Sequence, residues 1–356
     1  MSLKAVSGIM LMLLIMSMIA LVFYTRSVKA SESIYIRADG SIDPPTAPIS
    51  SFDNLTYVLT GPISESTIFL QRSNIIFDGN KNSIASGFES GLILSAISNV
   101  SILNTTISGT HPRFGGNGDG IVISYSSNVT ISNVHITGYA IVVSNSTNVK
   151  VHDSELTYGA TGISISSSLF INIYKNNITS QNCVSLSSSS FNIISENNIL
   201  PVGIVGSGWS SVNIYNSSFN TFFRNDIGAG DNKGVSLVLS SNNTFYENNI
   251  TSASFNVLSL SSSSDNKFYH NNFMDILYPN EIIDSVNRWD DGYPSGGNYW
   301  SDYAGVDLYS GQYQNEGGID GIGDIVYSLN DNNNDNFPLT RSFEHYLQEA
   351  PFSHFT

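Results

Sequence analysis

Short runs of alternating apolar residues return along the chain at a nearly constant interval, each followed or preceded by Asn, Ser or Thr. Ser98-Asn-Val-Ser-Ile-Leu-Asn-Thr-Thr-Ile107 is echoed by Ser127-Asn-Val-Thr-Ile-Ser-Asn-Val-His-Ile136, Thr147-Asn-Val-Lys-Val-His-Asp-Ser-Glu-Leu156 and Ser241-Asn-Asn-Thr-Phe-Tyr-Glu-Asn-Asn-Ile250. The closing apolar residue marks the period: Ile84, Ile107, Ile136, Leu156, Ile178, Ile199, Ile227, Ile250 and Phe273, in steps of 20 to 29 residues. A second alternating run lies between markers, as in Gly91-Leu-Ile-Leu-Ser95 and Gly120-Ile-Val-Ile-Ser124. Each unit therefore holds two or three strands of roughly four residues, with no 3.6-residue periodicity.

A unit of that size cannot bury an apolar face alone. Stacked coil on coil, each strand pairs with its equivalent one turn on, and the inward Ile, Val and Leu form one continuous column. Parallel strand-crossover-strand connections are overwhelmingly right-handed. The pattern thus predicts an all-β chain: a single-stranded, right-handed parallel β-helix, a solenoid of nine to eleven coils with a C-terminal cap. A sandwich or propeller would need longer strands joined by regular hairpin turns, which are absent. Asn pairs before the markers (Asn176-Asn177, Asn197-Asn198, Asn248-Asn249, Asn271-Asn272) are expected to take left-handed backbone geometry at sharp corners and to bond their stacked equivalents. The same repeat creates nine Asn-x-Ser/Thr sequons, including Asn99, Asn128, Asn177 and Asn249, and accounts for most of them structurally.

Composition narrows the class. Hydrophobic residues make up 41 % of the 356 and charged residues only 12 %. At the N-terminus, Lys4 precedes an apolar run from Gly8 to Tyr24, and Val28-Lys29-Ala30 offers small residues at a cleavage site. Residues 1–30 are expected to be a signal peptide or a retained N-terminal anchor, placing the rest outside the cytoplasm, at the cell surface or in a periplasm-like space. That anchor would be the chain's one link to a membrane. The single Cys183 has no internal disulfide partner and reads as a small core residue. The net charge is −15, and residues 284–340 carry ten acids against Arg288 alone. Such a surface disfavours nucleic acid and admits cations or neutral ligands.

Candidate chemistry is sparse. An oversized coil carries His111, Arg113 and Asp119 on a Gly-rich loop, a base, a charge stabiliser and an acid or ligand. A second oversized coil, Gly203-Ile-Val-Gly-Ser-Gly-Trp209, holds nothing titratable. Asp78-Gly79 suits a turn. Asp153 and Glu155 share one strand face, from which alternation directs His152 away. In the acidic cap, Asp331, Asn333 and Asp335 alternate as oxygen ligands do in calcium loops, with Asp320 and Asp324 nearby. The site lacks the Gly and Glu of a helix-loop-helix calcium loop. Trp289, Tyr293, Trp300 and Tyr303 in the same segment either form a platform for sugar rings or plug the open end of the column.

At these residues the chain resembles the NosD-like right-handed β-helix family, whose repeat is also called a carbohydrate-binding and sugar-hydrolysis domain. Trp289-Asp-Asp-Gly-Tyr-Pro-Ser-Gly-Gly-Asn-Tyr-Trp-Ser-Asp-Tyr303, Asp320-Gly-Ile-Gly-Asp324 and Asp335-Asn-Phe-Pro-Leu339 are similar to the C-terminal block of archaeal surface proteins of that family. Ile34-Tyr-Ile-Arg-Ala-Asp-Gly40 is similar to their entry strand. The resemblance implies repeats over 31–283, an acidic aromatic cap over 284–340 and a tail over 341–356. It also brings a copper-binding label. Copper(I) seeks clustered Met, Cys or His, yet Met274 is the lone Met beyond residue 18 and the His residues are scattered. The reading expected is a non-catalytic extracellular protein that binds a polysaccharide or surface glycan, or builds a cell-surface layer, with calcium in its cap. A polysaccharide lyase or hydrolase acting at the His111 loop, and a copper-delivery accessory protein, are the alternatives.

Overall fold

The computed structural model describes residues 33–86, 89–109, 118–138, 140–202, 210–230, 233–251 and 256–349. The N-terminal segment expected to direct export lies outside them. Within them, the apolar markers pair in the predicted order. Ile84 faces Ile107, Ile107 faces Ile136, and the column continues through Leu156, Ile178, Ile199, Ile227 and Ile250 to Phe273. It runs one coil further at each end, to Ile63 and Trp300. The chain is a right-handed parallel β-helix of about ten turns. No helix among the described residues is long and apolar enough to cross a membrane.

Three strands per coil give the solenoid three faces. In one coil the chain runs through Leu92–Ser95 and then Ser98–Ser108, which bends at Asn104 to supply two faces. Each face contributes its own inward column. Ile102, Ile131, Val151, Ile173, Ile194, Phe222, Phe245 and Phe268 line the first, and Leu94, Ile123, Val143, Ile165, Leu186, Ile214, Leu237 and Leu260 another. These side chains are all fully buried, and Cys183 lies among them. Towards the C-terminus the first column becomes aromatic, with Phe222, Phe245, Phe268 and Trp289 stacked at 4.6, 4.9 and 4.6 Å between centroids. At the N-terminal end Ile34–Ile36 joins the stack through Ile68–Leu70, while Ile42–Asp43 and Ile49–Ser50 fold back in short antiparallel pairs.

Three corners per coil turn backbone amides inward, where they need partners. Stacked polar side chains supply them. On one corner, the backbone N–H of Asn176 donates to Oδ1 of Asn197, and the same bond repeats from Asn197 to Asn225, Asn225 to Asn248, Asn248 to Asn271 and Asn271 to Asn298, at 3.0 to 3.1 Å. A second ladder runs through Asn192, Asn220, Asn243, Asn266 and Asn287. A third uses hydroxyls: Ser126, Ser146, Ser168, Ser189, Ser217, Ser240, Ser263 and Ser285. The sequence expectation merged two jobs that the structure divides. The buried ladder Asn do not adopt left-handed geometry. Along the first ladder the residues before Asn176, Asn197, Asn225, Asn248 and Asn271 do: Lys175, Glu196, Arg224, Glu247 and His270, with φ between 53 and 57°.

The aromatic cap plugs the column. Trp289 and Trp300 are 0 % and 1 % exposed, and Trp300 stacks between Phe273 at 4.3 Å and Tyr327 at 4.4 Å. The hairpin of Tyr327–Asn330 and Asn333–Asp335 closes both Asn ladders. Asn333 Oδ1 accepts from the Asn287 N–H and the Trp289 indole, and Asp335 Oδ2 accepts from the Asn298 N–H and the Trp300 indole. Residues 343–349 of the segment expected as a tail pack against this cap. Phe343–Glu349 is a helix whose Phe343 and Tyr346 pack on Ile322 and Leu339, and Phe343 stacks on His270 at 4.2 Å.

Asn248→Ala tests the ladder. It removes the acceptor of the buried Asn225 N–H and the donors to Phe222 O and Tyr246 O. An unsatisfied buried group costs about 1–3 kcal/mol, so the variant is expected to lose about 3 kcal/mol or more, read as a lower urea midpoint.

Candidate functional site

A groove of about 570 Å³ runs over five coils along the corner between two faces. Its floor is a row of outward residues on paired strands, Thr106, His135, Glu155 and Asn177. Its rim is the row of corner residues Asn104, Asn133, Asp153 and Lys175, each at positive φ, with Lys81 at one end. Left-handed geometry turns a side chain outward at such a corner, which is why these five polar residues project rather than lie along the face.

His135 anchors the floor. Its Nδ1 lies 3.0 Å from Glu155 Oε2 and its Nε2 lies 3.0 Å from the Thr137 hydroxyl. Glu155 is half exposed, so one carboxylate oxygen faces the groove. Beside it, His152 Nδ1 meets Asp153 Oδ2 at 2.7 Å and the His152 ring stacks on Tyr174 at 4.7 Å. Here the structure corrects the sequence expectation. Strand alternation was to hold His152 and Asp153 apart, but the strand Thr147–His152 ends at the histidine. Asp153 then adopts φ of 49°, folding its carboxylate back onto the ring. The groove presents two ammonium groups, two carboxylates, an imidazole and amides of Asn104, Asn133 and Asn177. That mixture can hydrogen-bond neutral hydroxylated ligands from several directions.

The predicted site residues fare differently. His111 and Arg113 lie outside the described residues. Asp119 is partly buried and burial raises its carboxyl above the ordinary range; its backbone N–H donates to Ser90 Oγ. Trp289 and Trp300 are inside the plug and offer no face to a sugar. Tyr293 and Tyr303 are half-buried, their hydroxyls taken by Gly311 N–H and Ile325 O. The five oxygen donors expected to hold calcium are not gathered. Asn333 and Asp335 face inward and end the ladders, and Asp331 faces solvent. Asp320 accepts from Ile322 N–H, and Asp324 from Leu308 and Tyr309 N–H. Asn333 and Asp335 sit two apart on a hairpin strand, which turns both inward. The His135 groove was missed because its members come from five repeats and meet only through inter-coil register.

The family profile described as "Periplasmic copper-binding protein (NosD)" matches residues 103–305. The chain belongs to the NosD family. No curated protein matches it. Among solved structures it is similar to the periplasmic alginate epimerase AlgG, at 15 % identity over 69 % of each chain with a TM-score of 0.38. It is also similar to DFA-IIIase from Arthrobacter chlorophenolicus A6, at 12 % identity over 80 % of this chain and 69 % of that one, TM-score 0.44. Bacteriophage CBA120 tailspike protein 2 is similar at 14 % identity over 79 % of this chain and 46 % of that one, TM-score 0.43. The described residues do not fit the copper of the family's description. Burial pushes the Cys183 thiol up to about 12, away from the thiolate that binds metal, and His270 is packed against Ser295 and Phe343.

Asp335 makes the plug sensitive to pH. Complete burial pushes its carboxyl up to about 7, against the hydrogen bonds from Asn298, Trp300 and Phe337 that lower it. The folded chain therefore holds this proton to higher pH than the unfolded chain. The resulting stabilisation is fully present below the ordinary carboxylate range and fades as pH rises towards 7. Urea midpoints are expected to fall from about pH 4 to about pH 7, and Asp335→Asn to flatten that part of the profile.

Proposed function

We propose that this chain is an exported, non-catalytic β-helix that binds glycans in the groove over His135 and Glu155. The observation that carries the reading is the groove itself. Donors and acceptors of both signs stand along several coils of a rigid sheet, with no large apolar wall. Sugar hydroxyls both donate and accept, and a site of two cations and two anions suits a neutral or mixed-charge chain better than a polyanion. Preorganised side chains lose little entropy on binding, which favours affinity without deep burial. Membership of the NosD family supports a location outside the cytoplasm. Outward Ser164, Ser185 and Asn213 extend a polar row on another face.

A glycan array probed with the full chain tests this. Glu155→Ala is expected to weaken the best ligand about tenfold or more, the loss of one charge-assisted hydrogen bond. Asp119→Ala is expected to leave binding intact. Undiminished binding by Glu155→Ala overturns the groove as the site. The His135–Glu155 contact favours one second reading, a lyase or hydrolase. Release of reducing ends or unsaturated products, abolished in His135→Ala, would establish it instead.

A further inference from the structure

The nine Asn-x-Ser/Thr sequons fall at Asn54, Asn99, Asn104, Asn128, Asn145, Asn177, Asn216, Asn242 and Asn249. The fold sorts them by what their amides do. Asn99 Nδ2 donates to Asn74, Asn104 Nδ2 to Asp78, Asn128 Nδ2 to Asn99 and Asn216 Nδ2 to Ser188, at 2.8 to 3.2 Å. These nitrogens are held between coils. A glycan on any of them would displace the bond and wedge a sugar into a stack whose strands lie about 4.8 Å apart. Asn177 and Asn249 use their oxygens, accepting from Asn198 and Asn272. The Asn54 sequon has its threonine hydroxyl turned to Asp53 at 3.4 Å.

Asn145 and Asn242 differ from the four whose nitrogens are tied up, and from Asn177 and Asn249, which lie within paired strands rather than at corners. Both are exposed, at corners with φ of 48° and 59°, and bond through their amides to no other described side chain. The reason is the company each keeps in its corner column. Asn145 lies between Tyr125 and Ser167, and Asn242 between Phe219 and Asp265, so neither meets the stacked amide that ties up Asn99 or Asn128. Neither Thr147 nor Thr244 spends its hydroxyl on a described partner, so in each sequon both the amide nitrogen and the hydroxyl are unbonded among the described residues.

We propose that Asn145 and Asn242 are N-glycosylation sites and that the amide-stacked sequons are not. In the transfer, the asparagine Nδ2 attacks the anomeric carbon of a lipid-pyrophosphate-linked oligosaccharide. The C–N bond forms, the bond from that carbon to pyrophosphate oxygen breaks with its electron pair leaving on the lipid pyrophosphate, and the amide loses one proton. The inference does not depend on glycan binding in the groove, and its assay reads a covalent mark.

The test is expression of the full chain behind a yeast secretion signal, so that translocation does not rest on residues 1–30. Protein recovered from medium and membranes is treated with peptide-N-glycosidase in heavy-oxygen water, and labelled aspartates are mapped by mass spectrometry. Occupancy at Asn145 and Asn242 is expected to exceed that at Asn99, Asn104 and Asn128 severalfold. Thr147→Ala and Thr244→Ala are each expected to abolish one mark without moving the melting temperature. Equal occupancy across the sequons, or an unmodified Asn145 and Asn242, overturns the proposal.

Discussion

Backbone N–H groups turned inward at each corner of a β-helix have no strand to pair with, and everything else in this protein rests on how they are satisfied. The first coils meet the demand with Ser hydroxyls, and from Asn176 onward Asn amides take over two corners. Each amide oxygen accepts from the coil before it, while the nitrogen donates back to a carbonyl of that coil and forward to the next Asn oxygen. One side chain thereby satisfies groups on both neighbouring coils, and the ladder cannot be shortened without orphaning a buried group. Apolar columns supply most of the burial, but the ladders set the spacing at which those columns stack and the corner positions that must turn outward.

The outward turns make the groove. Because the ladder residue is buried, the residue before it takes the left-handed conformation and projects. In the middle coils that position holds Asn133, Asp153 and Lys175, next to the face bearing His135 and Glu155. In later coils it holds Glu196, Arg224 and Glu247, where Arg224 pairs with Glu247 at 2.5 Å and the charges neutralise one another. Binding capacity and solenoid geometry are therefore consequences of one corner rule applied to different residues.

Much of the fold was legible in the sequence because inter-coil pairing is residue to residue. A buried Ile at position 107 must meet a buried Ile at 136, so the markers alone set the register. What was not legible depends on direction in space. His152 and Asp153 come together because a strand ends between them, which alternation cannot reveal. Trp289 and Trp300 look the same in sequence whether they cover the core or face solvent. Asp331, Asn333 and Asp335 read as a row of ligands until the ladder ends show that two of them are needed inside. The groove was illegible for a different reason, since its members are spread over residues 81 to 177 and share no local motif.

Asp335 has one more consequence. Along the Asn ladders every amide oxygen points towards the N-terminal coil, so each ladder has a head and a tail. At its last step one ladder receives a carboxylate, which has acceptors and, when ionised, nothing further to donate, and the hairpin around it covers the edge with its own chain. The residue that closes the column thus fixes the coil at which the run of repeating rungs stops.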